Sequence, residues 1–358
     1  MINVTRTFLP PFEQYTAILK RAWDKSWITN NGELVIELED KLKGYLELSN
    51  FLFCSNGTVV LQMALKSLGI SKEVITTPFS YVATTNAIIW EGCKPVFVDI
   101  RPDNFCIDES KIEAAITENT EAILATHVYG YPCNVEEIER IAKKYSLKVI
   151  YDAAHAFGCK LNGKSLLNYG DISTCSFHAT KIFQTGEGGA IITKDVEIFE
   201  KLFLYRSFGH LGDDYFSVGI NGKNSEFHAA MGLAVFPYIE EIIKMRKKVF
   251  EAYSSLLSKS LQRPVMTDAR FEYNYSYYPV IFPSEEAMLR VKQHLFDSGF
   301  NTRRYFFPSL NLTPQVLNYM PCPISEDISK RVLCLPLYPD LPISIVENIA
   351  AIINELTL

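Results

Sequence analysis

The chain has 358 residues, of which 48% are apolar and 21% charged. That composition excludes intrinsic disorder and collagen-like or mucin-like repeats, and the length suits about two domains. With 35 basic and 41 acidic residues the formal charge is −6, so no global field draws the chain to nucleic acid or an anionic membrane. An anionic ligand must therefore be caught by a local site.

The first residues, Met1 to Tyr15, lack the apolar stretch of a secretory leader. No uncharged apolar run is long enough for a membrane span. The eight cysteines contain no C-x-x-C pair and read as buried free thiols, which suits a cytoplasmic chain.

Helical spacing covers 12–26 and 33–46. A short apolar strand at 51–54 runs into Ser55-Asn56-Gly57-Thr58 and a helix to Leu68. A clear alternation follows. Strands are predicted at 74–76, 95–99, 122–127 and 148–152, with helices at 81–91, 109–116 and 134–145 between them. This is an α/β pattern around a mostly parallel, buried sheet. Strands at 172–177 and 189–193, a helix at 195–206 and a long amphipathic helix over 226–257 come next. Beyond Pro264 a smaller α+β unit is expected, with a strand over 273–282, a helix over 284–298, a strand at 332–335 and a closing helix at 344–356. The expected division is a large domain at 1–245 and a small one at 246–358.

Gly158 to Ser165 fits the phosphate-loop expression G-x-x-x-x-G-K-[ST], but no helix follows Ser165 and Asn162-Gly163 is a tight-turn pair. The turn is the reading adopted. No G-x-G-x-x-G follows a strand and no spacing of His or Cys points to a metal. Three other features carry chemistry. Asp152 ends a buried strand, where α/β sheets bind ligands, although it could simply cap the next turn. Ser55 to Thr58 joins a strand to a helix and so presents N–H groups to an anion. Lys181 follows Ser176 by five residues and lies between two strands, amid small and hydroxyl residues, where an amine can attack an aldehyde. An anion nest, a strand-end carboxylate and a lysine, in that order, are what pyridoxal phosphate (PLP) requires for its phosphate, its ring nitrogen and its aldehyde.

Eight ordered blocks complete the picture: Ser55 to Thr58, Pro78 to Thr84, Gly92 to Asp99, His127 to Gly130, Asp152 to Ala156, Ser176 to Lys181, Glu187 to Gly189 and Gly219 to Asn221. In these the chain resembles the sugar aminotransferases of the DegT/DnrJ/EryC1/StrS family, over most of its length. The resemblance implies a fold-type I PLP-dependent transferase, with a mostly parallel seven-stranded sheet in the large domain. It implies Lys181 as the residue that holds the cofactor and moves the proton, and Asp152 as the partner of the ring nitrogen. Gly57, Thr58 and Ser176 would hold the phosphate, Tyr81 would stack on the ring, and His155 would sit beside the ring hydroxyl. Asn221 would reach the phosphate from a neighbouring subunit, which implies a homodimer.

Relatives with His in place of the lysine are sugar dehydratases, so Lys181 implies a transaminase. L-glutamate is the implied donor and a nucleotide-linked keto sugar the acceptor. The Ser176 to Lys181 text resembles the branch that aminates dTDP-4-keto-6-deoxyglucose or its 3-keto isomer, and carbon 4 is the reading preferred. A PLP-binding regulator without turnover is the alternative of another class. Candidates for the diphosphate and sugar are His210, Lys223, Arg303 and Arg304, with His178, Glu187 and Tyr305 beside them. The text Arg303 to Ser309 departs from the commoner family pattern, which has a His after the Pro.

Overall fold

A computed structural model describes residues 1–265 and 268–357. Helices α1 (Phe12–Asp24) and α2 (Glu33–Tyr45) open the chain. Strands and helices then alternate: β1 (Asn50–Cys54), α3 (Gly57–Ser67), β2 (Glu73–Thr76), α4 (Val82–Trp90), β3 (Lys94–Phe97), α5 (Ile112–Ala115), β4 (Thr120–Thr126), α6 (Val135–Tyr145) and β5 (Lys148–Asp152). A hairpin of β6 (Lys160–Leu161) and β7 (Lys164–Ser165) precedes β8 (Ile172–Ser176), β9 (Gly189–Thr193) and α7 (Val196–Arg206). A second hairpin, β10 (His210–Leu211) and β11 (Asp214–Tyr215), leads to α8 (Glu226–Val235) and α9 (Ile239–Leu256). The remainder is β12 (Phe271–Glu272), β13 (Pro279–Ile281), α10 (Glu285–Asp297), α11 (Pro323–Arg331), β14 (Val332–Cys334) and α12 (Ile343–Thr357).

Seven strands form the main sheet in the order β1-β9-β8-β5-β4-β2-β3. The pairs β2–β3, β2–β4, β4–β5 and β5–β8 are parallel, and only β9 runs against its neighbours. This is the fold-type I sheet expected from the sequence. Alternate residues along each strand enter cores on opposite faces, as the two-residue period of a strand demands. Ile123, Ala125, Val149 and Tyr151 join one core, while Ala122, Leu124 and Ile150 join the other. Helix α6 shows why the flanking elements form. Asn134 caps it by accepting from the Glu137 N–H at 3.2 Å, acidic residues fill its first turn and lysines its last. Val135, Ile138, Ile141 and Ala142 make its buried stripe.

A third core is built by α9, α10, α12, β13 and β14. The expected boundary at 245/246 falls within α9. That helix contributes Ile239 and Ile242 to the sheet core and Val249 and Tyr253 to the third one.

Three local expectations need correction. The helix over 226–257 is broken by a tight turn at Phe236–Tyr238, where Pro237 cannot continue the α pattern. The strand over 273–282 exists only at Pro279–Ile281. Tyr275 has φ of +58° there, and the Asn274 amide is spent on the carbonyls of His155 and Phe157. The alternating tyrosines therefore serve ring packing rather than strand pairing. Residues 109–116 form a tight turn plus the single turn of α5, and α11 went unforeseen because Pro323 opens a helix rather than ending one. The phosphate-loop match is the hairpin turn expected, with Asn162 and Gly163 both at positive φ.

Among the described residues no helix is long and apolar enough to cross a membrane. All eight cysteines are free and buried.

One buried cation ties the elements that lead into the site. Arg206, at the end of α7, is 1% exposed. It donates to Glu39 at 2.5 Å, to the Phe53 carbonyl at 3.0 Å and to Asn31 at 3.1 Å. Its own carbonyl accepts from the Gly222 N–H at 3.0 Å. Replacing it by Ala leaves the Glu39 carboxylate without its cation. Arg206→Ala should therefore lower the unfolding free energy by about 3 kcal/mol in a urea titration. A change below about 0.5 kcal/mol would show that the pair contributes nothing.

Candidate active site

Strand β5 lies at the centre of the sheet, and its last residue is Asp152. The side chain is buried and held from two sides. Thr84 of α4 donates its hydroxyl to Oδ2 at 2.7 Å, and the Ala154 N–H donates to Oδ1 at 3.1 Å. Ser80 pairs with both Thr84 and Thr126, so a hydroxyl chain braces the carboxylate. Burial pushes the Asp152 carboxyl up, while these donors and the Lys181 amine oppose the shift.

Lys181 sits in the loop between β8 and β9. The Phe177 N–H bonds the Gly188 carbonyl and the Ala179 N–H bonds the Gly186 carbonyl, both at 2.8 Å, so the loop closes on itself. Ile182 and Phe183 are buried beneath it and leave the lysine facing the cleft. Burial lowers the Lys181 pKa and the charge of Asp152 works the other way. A desolvated amine beside a buried carboxylate is a nucleophile in the making.

The anion end lies at the start of α3. Asn56 caps this helix by accepting from the N–H groups of Thr58 and Val59. A Cβ on Gly57 would come within 3.0 Å of the Ser176 Cβ, so glycine lets the first turn meet the end of β8. Thr58 is exposed at the same corner. His155 accepts at Nδ1 from the Tyr129 N–H at 3.2 Å, which leaves the ring hydrogen on Nε2. Its ring stacks on Phe306, and burial holds its pKa well below the ordinary imidazole value.

These groups share one cleft of about 660 Å³. Gly57, Thr58, Tyr81, Asp152, His155, Ser176 and Lys181 all line it. So do His178, Glu187, Arg303 and Tyr305 from the sugar candidates. His178 accepts at Nδ1 from the Thr180 N–H, and its Nε2 lies 3.7 Å from Glu187. Arg303 lies against the Tyr305 ring and makes no ion pair among the described residues. The other four candidates stand elsewhere. Arg304 pairs with Glu285 at 2.8 Å and packs on Phe307. Lys223 lies over the Phe208 ring, His210 bonds the Gly212 carbonyl within its hairpin, and Asn221 is exposed beyond the cleft.

Residue patterns missed four participants. Asn56 and Thr84 stood inside quoted blocks, but their bonds depend on how β1, α4 and β5 meet. Tyr277 and Phe306 line the cleft from the far side, and no spacing links either to Lys181. The donor set has an anion end, a buried carboxylate, an amine and an exposed tyrosine ring. It fits a flat, phosphate-bearing nitrogen heterocycle with an aldehyde, as PLP is.

Residues 13–354 match the DegT/DnrJ/EryC1/StrS aminotransferase family. The chain is 38% identical, over 99% of each chain, to a dTDP-4-amino-4,6-dideoxy-D-glucose transaminase of Shigella dysenteriae. It is 39% identical, over 98% of each, to a transaminase of the same name from Escherichia coli. A solved structure of DesI with its TDP-sugar product superposes with a TM-score of 0.93 at 30% identity, covering 99% of this chain and 93% of that one. The chain belongs to the DegT/DnrJ/EryC1/StrS aminotransferase family.

Proposed function

We propose that this aminotransferase uses PLP to move the amino group of L-glutamate onto dTDP-4-keto-6-deoxy-D-glucose, giving dTDP-4-amino-4,6-dideoxy-D-glucose for bacterial O-antigen. The carrying observation is the meeting of Asp152 and Lys181 in one cleft, in a chain matched end to end by two transaminases named for that product. PLP, when bound, supplies an electron sink for breaking the bond to hydrogen at the amino carbon.

The chain's own residues divide the remaining work. Gly57, Thr58 and Ser176 bind the phosphate at the helix end. Tyr81 covers the ring face. Asp152, kept from water and braced by Thr84, holds a proton on the ring nitrogen. His155, with its hydrogen on Nε2, donates to an acidic ring hydroxyl. The Lys181 Nζ would hold the cofactor's aldehyde, and its amine is placed to carry the proton of the substrate's amino carbon. Arg303, which makes no ion pair among the described residues, meets the diphosphate, as a net-acidic protein needs. The active-site pair argues against a regulator without turnover.

We assign a homodimer in which Asn221 reaches the neighbouring cleft. Asn221 lies outside its own cleft, and the same segment exposes Tyr215 at 79%, Phe216 at 61% and Val218 at 85%. Large apolar side chains exposed together in one short segment favour a covering partner. The reduced cysteines support a cytoplasmic site of action.

Incubation with PLP, glutamate and dTDP-4-keto-6-deoxyglucose should give a product whose NMR spectrum places nitrogen on carbon 4. Nitrogen on carbon 3 of the isomeric substrate alone would overturn the regiochemistry. Loss of one charged contact costs roughly a factor of ten or more, so Arg303→Ala should raise KM for the nucleotide sugar by about that factor. An unchanged KM would remove Arg303 from the substrate site.

A further inference from the structure

Lys181 Nζ has one side-chain hydrogen-bond partner among the described residues, the Tyr277 hydroxyl at 3.5 Å. Among the described residues nothing else bonds that hydroxyl. The surroundings hold it in place. The Tyr277 ring meets His155 at 4.8 Å, Tyr129 at 5.5 Å and Tyr305 at 5.7 Å between centroids. With three rings around it, the phenol has little room to swing.

Its backbone is pinned as well. Arg246 is 5% exposed and has no carboxylate partner among the described residues. Instead its Nε donates to the Tyr275 carbonyl at 2.9 Å and its Nη2 to the Ser276 carbonyl at 2.5 Å. On the other side Ser276 Oγ donates to the His155 carbonyl at 2.8 Å. A buried guanidinium satisfied only by carbonyls is costly unless the geometry it enforces is needed. Here it fixes the two residues before Tyr277.

We propose that Tyr277 is a positioning residue whose hydroxyl holds the protonated Lys181 amine while that amine carries the substrate's proton. The proposal rests on the aminotransferase reading above. Lys181 Nζ takes a proton from the substrate carbon and becomes an ammonium. An N–H of that ammonium donates to Tyr277 Oη, and the same nitrogen then returns a proton to the second carbon. Tyr277 keeps its own proton throughout, since burial pushes its phenol pKa up. Without such an acceptor, an ammonium inside the aromatic wall would be poorly solvated. The other groups facing the amine are Asp152, Cys175, Tyr81 and Tyr305, with the His155 ring adjoining.

The test is Tyr277→Phe, which removes one oxygen and keeps the ring. In cofactor-free protein carrying lysine labelled with ¹³C at Cε, the Lys181 resonance is identified by its absence in Lys181→Met and titrated with pH. A charge-assisted bond favours the ammonium, so its loss should lower the midpoint by about one pH unit. An unchanged or raised midpoint would overturn the proposal. In the loaded enzyme, kcat should fall about tenfold while both KM values hold within about twofold. The isotope effect from glutamate deuterated at C2 should rise. A lower kcat with the isotope effect unchanged would mean a merely structural role and would also overturn it. Failure of the natural enzyme to convert glutamate would count against the aminotransferase reading, whereas the cofactor-free titration still decides the contact.

Discussion

A carboxylate buried at the carboxyl edge of a sheet is unfavourable unless donors or a cation meet it. At Asp152 they arrive from three separate parts of the chain. Thr84 comes from α4, the Ala154 N–H from the turn after β5, and the positive field from Lys181 in the β8–β9 loop. The parallel order of β2, β4, β5 and β8 brings these segments to one edge. The chemistry assigned to the chain depends on keeping this group ionised and dry.

The same logic runs through the rest of the cleft. Close packing at Gly57 against Ser176 sets the depth of the anion end. On the opposite wall, Tyr277, Tyr305 and Phe306 line the cleft and pack with Tyr129 into an aromatic cluster. Low dielectric strengthens each charge interaction and penalises each unpaired one. Arg303 stands at the rim of that wall, where a cation can attract an anion despite the net charge of −6.

The sheet and the anchoring residues were legible because both leave local marks. Buried parallel strands read as apolar runs, and Asp152, Gly57 and Ser176 sit at strand or helix ends where the motif spacing is short. Arg303 was found as a local cation that an anionic ligand needs on a net-acidic chain, in a stretch, Arg303 to Ser309, that departs from the commoner family text and also holds Tyr305. Tyr277 was not. Its tyrosine-rich segment alternates like a strand, yet the alternation answers to ring packing and to the carbonyls that Arg246 collects. Arg304 looked equivalent to Arg303 in sequence, but successive residues in extended backbone point to opposite sides, and Glu285 takes its charge. Pairings between distant segments carry no local signature, which is why the far wall of the cleft had to be seen in three dimensions.

The central claim is that Lys181 alone among the lysines carries the cofactor. Loading the protein with PLP, reducing it with borohydride and mapping the peptides by mass spectrometry tests this directly. The account predicts one pyridoxyl group per chain, on the peptide containing Lys181. A label spread over surface lysines, or fixed on another single lysine, would contradict it.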